Sequence, residues 1–241
     1  MSTDTTPDVP AAVRRQIVRD SMAVAIATGA YGVSFGAIGV ASGFDVWQTC
    51  ATSLLIFTGA SQYAMAGVLG AGGAPMSAAA TGLLLASRNL LYGLRLAPLL
   101  RFTGIRRAAA AHVVIDESTA MSITRQSTGE ARIGFLTTGV GIFILWNLAT
   151  LIGAVAGDHL GDPRSYGLDS AVGGAFIALL WPRLRDRRNQ LCGVLAGALA
   201  LSLVPVVPAG MPVLAAAGVA LVLGFVPHQP PDVPESTEDT P

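Results

Sequence analysis

The chain has no lysine: all fifteen of its basic residues are arginine. That removes the amine on which Schiff-base chemistry depends. Charge of either sign is scarce, at 12% of 241 residues, where a soluble globular domain carries about 25%. Fifteen acidic residues balance the fifteen basic ones, so there is no electrostatic footprint for a nucleic acid. Cysteine is limited to Cys50 and Cys192, each in an apolar segment without CxxC spacing or a histidine cluster nearby. Both read as small buried hydrophobes, and no disulfide framework, metal site or cofactor is expected. Catalytic signatures are missing as well. There is no HExxH, GxSxG or P-loop, and Val155 stands where an intramembrane aspartyl-protease GxGD ending at Asp158 needs its first glycine. No enzyme activity is expected.

Uncharged length is what the chain has in abundance. Hydrophobic residues reach 52% of the sequence, and the mean hydropathy is +0.58. Residues 46–87 carry no charge before Arg88, and 133–157 and 189–231 are two further such runs if His228 is neutral. At about 20 residues per crossing, the reading is an all-α polytopic integral membrane protein. About seven hydrophobic segments are expected, at 21–44, 45–69, 76–100, 133–157, 168–184, 191–204 and 213–226. A further helix over 108–125 contains Asp116 and Glu117. Residues 1–14 and the acidic, proline-rich 227–241 read as disordered tails around one transporter domain, 15–226. The run 21–44 is long enough to span and leads into others, which marks it as mature protein and not a cleaved signal.

Gly29, Gly32, Gly36, Gly39 and Gly43 form a small-residue stripe on the first segment, with two GxxxG pairs, suited to close helix approach. Arginine clusters at 14–19, 95–107 and 183–188 should all face the cytoplasm. Three ordinary crossings would carry Arg101 to the side opposite Arg14. Either the positive-inside rule fails here or one of the first three segments is broken or re-entrant; the favoured expectation is a break near Gly59-Ala60-Ser61-Gln62, because irregular backbone at membrane depth is tolerated where it lines a cavity. Residues 88–93 echo 188–193 at four of six positions, a match too short to establish a duplication.

Several polar residues lie where lipid would penalise them. Gln62 offers two donors and an acceptor, enough for a carboxylate or an ammonium, or for an interhelical bond; Ser61 beside it leans towards the interhelical role. Arg88 snorkels to an interface or presents a planar fork to a carboxylate, with Asn89 next to it. Asp116 and Glu117 form an adjacent acidic pair that suits proton coupling or a substrate ammonium if buried, and a solvated face if not. Asp169 opens a segment, where it complements a helix N-terminus or gates a pathway. Trp146 and Asn147 supply an aromatic wall and an amide.

Taken in order, Phe57-Thr58-Gly59-Ala60-Ser61-Gln62-Tyr63, Arg88-Asn89-Leu90-Leu91-Tyr92-Gly93-Leu94, Leu96-Ala97-Pro98 and Asp116-Glu117 resemble the AzlC-type branched-chain amino acid permeases. Trp146 with Gly153, then Tyr166-Gly167-Leu168-Asp169 and Ala175-Phe176-Ile177-Ala178-Leu179-Leu180, continue the likeness, which covers roughly residues 15–226. Thr58 replaces an expected Ala and Tyr63 an expected Phe, and the run at 88–91 also departs from the family pattern. The resemblance implies a bacterial inner-membrane exporter of branched-chain or similar small apolar amino acids such as valine. It also implies a role as the large subunit beside a small AzlD-type membrane partner. On this reading Ser61, Gln62, Asn89, Phe57 and Trp146 bind substrate, and Asp116, Glu117 or Asp169 carries a coupling proton. The alternative is a membrane scaffold or regulatory subunit that moves nothing itself.

Overall fold

The computed structural model describes residues 9–159, 177, 180, 181, 184 and 186–225, and the regular structure among them is all helical. Two helical rods are long and apolar enough to cross a membrane. The first runs from α1 (Ala11–Ala30) into α2 (Gly32–Ala41), 31 residues at a mean hydropathy of 1.6. It takes in Ala11 to Arg14, which the sequence assigned to the tail. The second is α9 (Thr128–His159), 32 residues at 2.0. At about 1.5 Å per residue each exceeds the ~30 Å of a hydrocarbon core. The expected count of about seven is thus not matched by seven spanning helices: the described residues hold two, and most of 168–184 lies outside them.

Glycine brings these two rods together. A Cβ on Gly29 would sit 2.6 Å from the Leu145 Cβ, and one on Gly32 would sit 2.5 Å from the Trp146 carbonyl oxygen. On Gly36 it would collide with the Thr150 carbonyl, and on Gly153 with that of Val33. The contacts advance in step along both helices, from Ile17 beside Gly134 to Ala37 beside Gly157, so α1–α2 and α9 run parallel. Of the expected stripe, Gly39 instead faces Thr49, and Gly43 is a left-handed turn residue at φ 97°.

The remaining apolar sequence is cut into shorter helices. α3 (Val46–Ile56) starts from an Asp45 cap, whose carboxylate accepts the Gln48 amide at 2.7 Å while the Gln48 side chain accepts the Asp45 amide at 2.9 Å. It ends at Phe57, and an extended Thr58 (φ −154°, ψ 107°) leads into α4 (Gly59–Gly70). The break falls at the near edge of the expected one. A Cβ on Gly70 would lie 3.1 Å from the Ser42 hydroxyl, so α4 returns to the end of α2 from which α3 set out. Residues 46–70 form a re-entrant hairpin.

α5 (Pro75–Ala86) pairs with α4 and bends at Ser87, whose hydroxyl donates to the Leu84 carbonyl at 2.6 Å, into α6 (Arg88–Leu100). α6 ends beside the start of α9. There the Arg132 Nε–H donates to the Leu100 carbonyl at 2.7 Å, and the guanidinium lies 5.2 Å from the Phe102 ring centre. The helix expected over 108–125 is not continuous. α7 (Gly104–His112) stops at Val113-Val114-Ile115, and α8 (Asp116–Ile123) returns until Met121 meets Gly134. Three successive β-branched residues disfavour helix. The Ser118 hydroxyl then holds the break, accepting the Ile115 N–H at 3.0 Å and donating to the Val113 carbonyl at 2.7 Å. This is a second re-entrant hairpin, entering from the opposite end.

The fold therefore repeats a unit of one bent rod plus one re-entrant hairpin, first as α1–α4 and then inverted as α5–α8. Residues 88–93 and 188–193 fall on α6 and on α10 (Arg187–Leu203), which this repeat does not relate. α10 and α11 (Met211–Phe225) form a last hairpin, its turn set against Ser77 and Val68 and Arg188 bonded to the Leu223 carbonyl. Arg14, Arg15 and Arg19, Arg101, Arg106 and Arg107, and Arg187 and Arg188 consequently share one end of the bundle.

Candidate functional site

The tips of the two hairpins meet in mid-bundle. From the second, His112 Nε2 lies 2.8 Å from the Leu54 carbonyl; since a carbonyl only accepts, Nε2 carries the proton. The His112 and Phe57 rings stack at 6.2 Å, and both contact Phe143 edge-on, at 5.5 and 5.0 Å. Aromatic packing thus ties both breaks to α9.

Beside this junction lies a cavity of about 230 Å³. Thr58, Gly59 and Ala60 reach it from the first hairpin and Ile115, Asp116 and Glu117 from the second. Arg88 comes from the bend of α5–α6, Thr28 and Tyr31 from the bend of α1–α2, and Ile142 and Trp146 from α9. The four interruptions within α1–α8 all open on the same space. Its apolar wall is Phe57, Ile142 and Trp146. The Trp146 indole stacks on Phe35 at 6.2 Å and meets Tyr63 edge-on at 6.4 Å, and the Tyr63 hydroxyl donates to the Tyr31 carbonyl at 3.2 Å. Those contacts fix the ring against α4, where a Cβ on Gly59 would come within 3.1 Å of Trp146 Cη2. Arg88 Nη2 pairs with Asp116 Oδ2 at 3.1 Å, both side chains being about 30% exposed. A pair this open to solvent contributes about 0–1 kcal/mol to stability, and its interest lies in where it sits.

Of the residues singled out in the sequence, Phe57, Arg88, Trp146, Asp116 and Glu117 are brought together around the cavity. Ser61, Gln62 and Asn89 are not among its lining. Gln62 is fully buried between the arms of the first hairpin, its amide N–H donating to the Thr52 carbonyl at 3.4 Å. Asn89 follows Arg88 on α6, outside the lining. Asp169 lies outside the described residues. Sequence reasoning missed Thr28, Tyr31 and Ile142, which sit on the two long rods, where composition signals only packing. Among the described residues no group of three or more His, Cys, Asp and Glu is arranged to hold a metal ion.

Apolar rods packed through glycine, with interrupted helices converging on a polar cavity, define an α-helical membrane protein. The chain belongs to the AzlC protein family, a transport-related membrane family: the family's model matches residues 23–160, more than half of the chain and all of the cavity's lining. A Helicobacter pylori protein described as an uncharacterized membrane protein is 25% identical over 180 residues, spanning 71% of this chain and 77% of its own. No solved structure matches the chain.

Proposed function

We propose that the cavity is the substrate site of an exporter of branched-chain or similar small apolar amino acids, valine among them. The observation that carries this reading is one space combining an apolar wall, an acidic pair and the N-termini of two interrupted helices. A branched side chain fits against Phe57, Ile142 and Trp146, and an ammonium against Asp116 and Glu117. Opposed interrupted helices around a central site are the usual equipment for alternating access. Asp116 and Glu117 are positioned to take a coupling proton, and Asp169 remains a third candidate. The arginine-bearing end faces the cytoplasm of the inner membrane. A small AzlD-type subunit completes the transporter.

The test is efflux of labelled valine, leucine and methionine from cells carrying this chain, with and without its small partner. Saturable efflux that depends on the chain and collapses with the proton gradient is the expected result. No efflux in either background would overturn the proposal in favour of a scaffold.

A further inference from the structure

Arg88 stands deeper in the bundle than an interfacial arginine can. The α5 helix before it has 12 residues, and α6, which it opens, has 13. Arg88 therefore lies about 18 Å from either end of this bent rod, beyond the reach of its own side chain. Snorkelling to an interface is excluded, and a charge held at this depth marks a substrate pathway or a proton relay. The direction of the guanidinium is fixed by its contact. Nη2 meets Asp116 Oδ2 at 3.1 Å, so the side chain reaches from the α5–α6 bend to the tip of the second hairpin. Both residues line the cavity, and each side chain keeps about 30% of its surface exposed. Within that lining Arg88 is the single cation, against the two acids Asp116 and Glu117. An amino acid brings one charge of each sign. Its ammonium finds two acids there, and its carboxylate finds one cation.

We infer that Arg88 takes the substrate's carboxylate, and that Asp116 keeps its place on the guanidinium until substrate arrives. This rests on the amino-acid reading above and adds an exchange of partners. Arg88 passes from the Asp116 carboxylate to the substrate carboxylate, and Asp116 is released to the ammonium. Like replaces like at both ends, so neither charge is left uncompensated in the interior. An ion pair this open to water holds weakly, which lowers the cost of breaking it. The planar guanidinium can then be gripped by both oxygens of the incoming carboxylate. The site accordingly discriminates a free amino acid from its neutral-ended amide, and Asp116 competes with any carboxylate for Arg88.

Valine and valinamide share the side chain and the amine and differ at the carboxyl group, while isovalerate keeps the carboxylate and lacks the amine. Titration calorimetry of the purified protein in lipid nanodiscs measures the binding of each. Wild type is expected to bind valine at least about tenfold more tightly than valinamide, the worth of a charge-assisted hydrogen bond. Arg88→Gln should abolish that preference by weakening valine and not valinamide. Asp116→Asn removes the competitor, and should bind isovalerate about tenfold more tightly than wild type does. Equal wild-type affinity for valine and valinamide overturns the carboxylate role and leaves the transport reading intact. An Arg88→Gln variant that still prefers valine, or that weakens both ligands equally, overturns the assignment to Arg88. No gain for isovalerate in Asp116→Asn overturns the exchange, and that measurement decides alone if Arg88→Gln does not fold. Binding of neither valine nor valinamide overturns this assignment. If cells also move no valine, the amino-acid reading falls with it.

Discussion

The two re-entrant hairpins have the same shape and opposite chemistry. Each sends one helix to the middle of the bundle, breaks, and returns a second helix whose N-terminus borders the cavity. In α7/α8 that N-terminus is satisfied from within, by Ser118 and by the first-turn acids Asp116 and Glu117. In α4 it is not: the first turn is Gly59-Ala60-Ser61, without an acid or a side-chain cap. A buried helix end with free donors is costly unless a partner arrives. The comparison teaches that inversion of a unit supplies geometry, while a few first-turn residues decide how each helix end that borders the cavity is satisfied.

The largest expected effect concerns the hairpins as such, and it is all-or-none. In a chain carrying Cys50→Ser and Cys192→Ser, we expect Ala71→Cys to react with an impermeant thiol reagent from the side opposite Arg14–Arg19. Arg101→Cys should react from the same side as those arginines. Ordinary full crossings would exchange the two outcomes, and with them the whole comparison would fall.

Next in size is the removal of the acid that sets the second hairpin apart. Asp116→Asn keeps the shape of the side chain and deletes its charge, so pH-driven efflux should be lost while the protein still reaches the membrane. Loss of its pair with Arg88, about 30% exposed, costs no more than about 1 kcal/mol, too little to unfold the bundle. Efflux at the wild-type rate would remove Asp116 from the coupling path.

These expectations also show what the sequence could and could not reveal. The first break was legible because arginine position is a constraint: if the positive-inside rule holds, 14–19 and 101–107 share a side only when one segment turns back. The second was not, since a polar helix over 108–125 satisfies the same count whether whole or broken. Only Val113-Val114-Ile115 hinted at it, and Ser118 completes the break through bonds invisible to composition. In the site, Phe57, Trp146, Asp116 and Glu117 were recognisable by residue type. Ser61 and Gln62 were chosen by polarity alone. At 100° per residue, a helix that starts at Gly59 and presents Gly59, Ala60 and Tyr63 to the cavity turns positions 61 and 62 away from it. The starting residue, not the polarity, sets that face.

A smaller effect follows from making the second hairpin resemble the first. Ser118→Ala leaves the buried Ile115 amide and Val113 carbonyl without their shared partner, at a cost of about 1–2 kcal/mol and a fall of a few degrees in the melting temperature. Thr58→Ala, at the matching place in the first hairpin, removes no capping bond, so a loss of stability under about half that size is expected. Equal losses would mean that the two breaks are held in the same way.

Gln62→Ala should have the least effect, and it separates two roles that the sequence left open. The side chain is fully buried, yet its amide bond is a long one, 3.4 Å to the Thr52 carbonyl, and its Oε1 has no partner. An interhelical bond in a membrane protein is worth about 0.6 kcal/mol on average, and loss of the amide also relieves the buried oxygen of its missing donor. The variant should therefore melt within a degree or two of the wild type. Its KM for valine efflux should be unchanged, because the residue faces the other arm of the hairpin and not the cavity. A tenfold rise in KM at unchanged stability would return Gln62 to the substrate site, and would mean that α4 rotates during transport to present a different face.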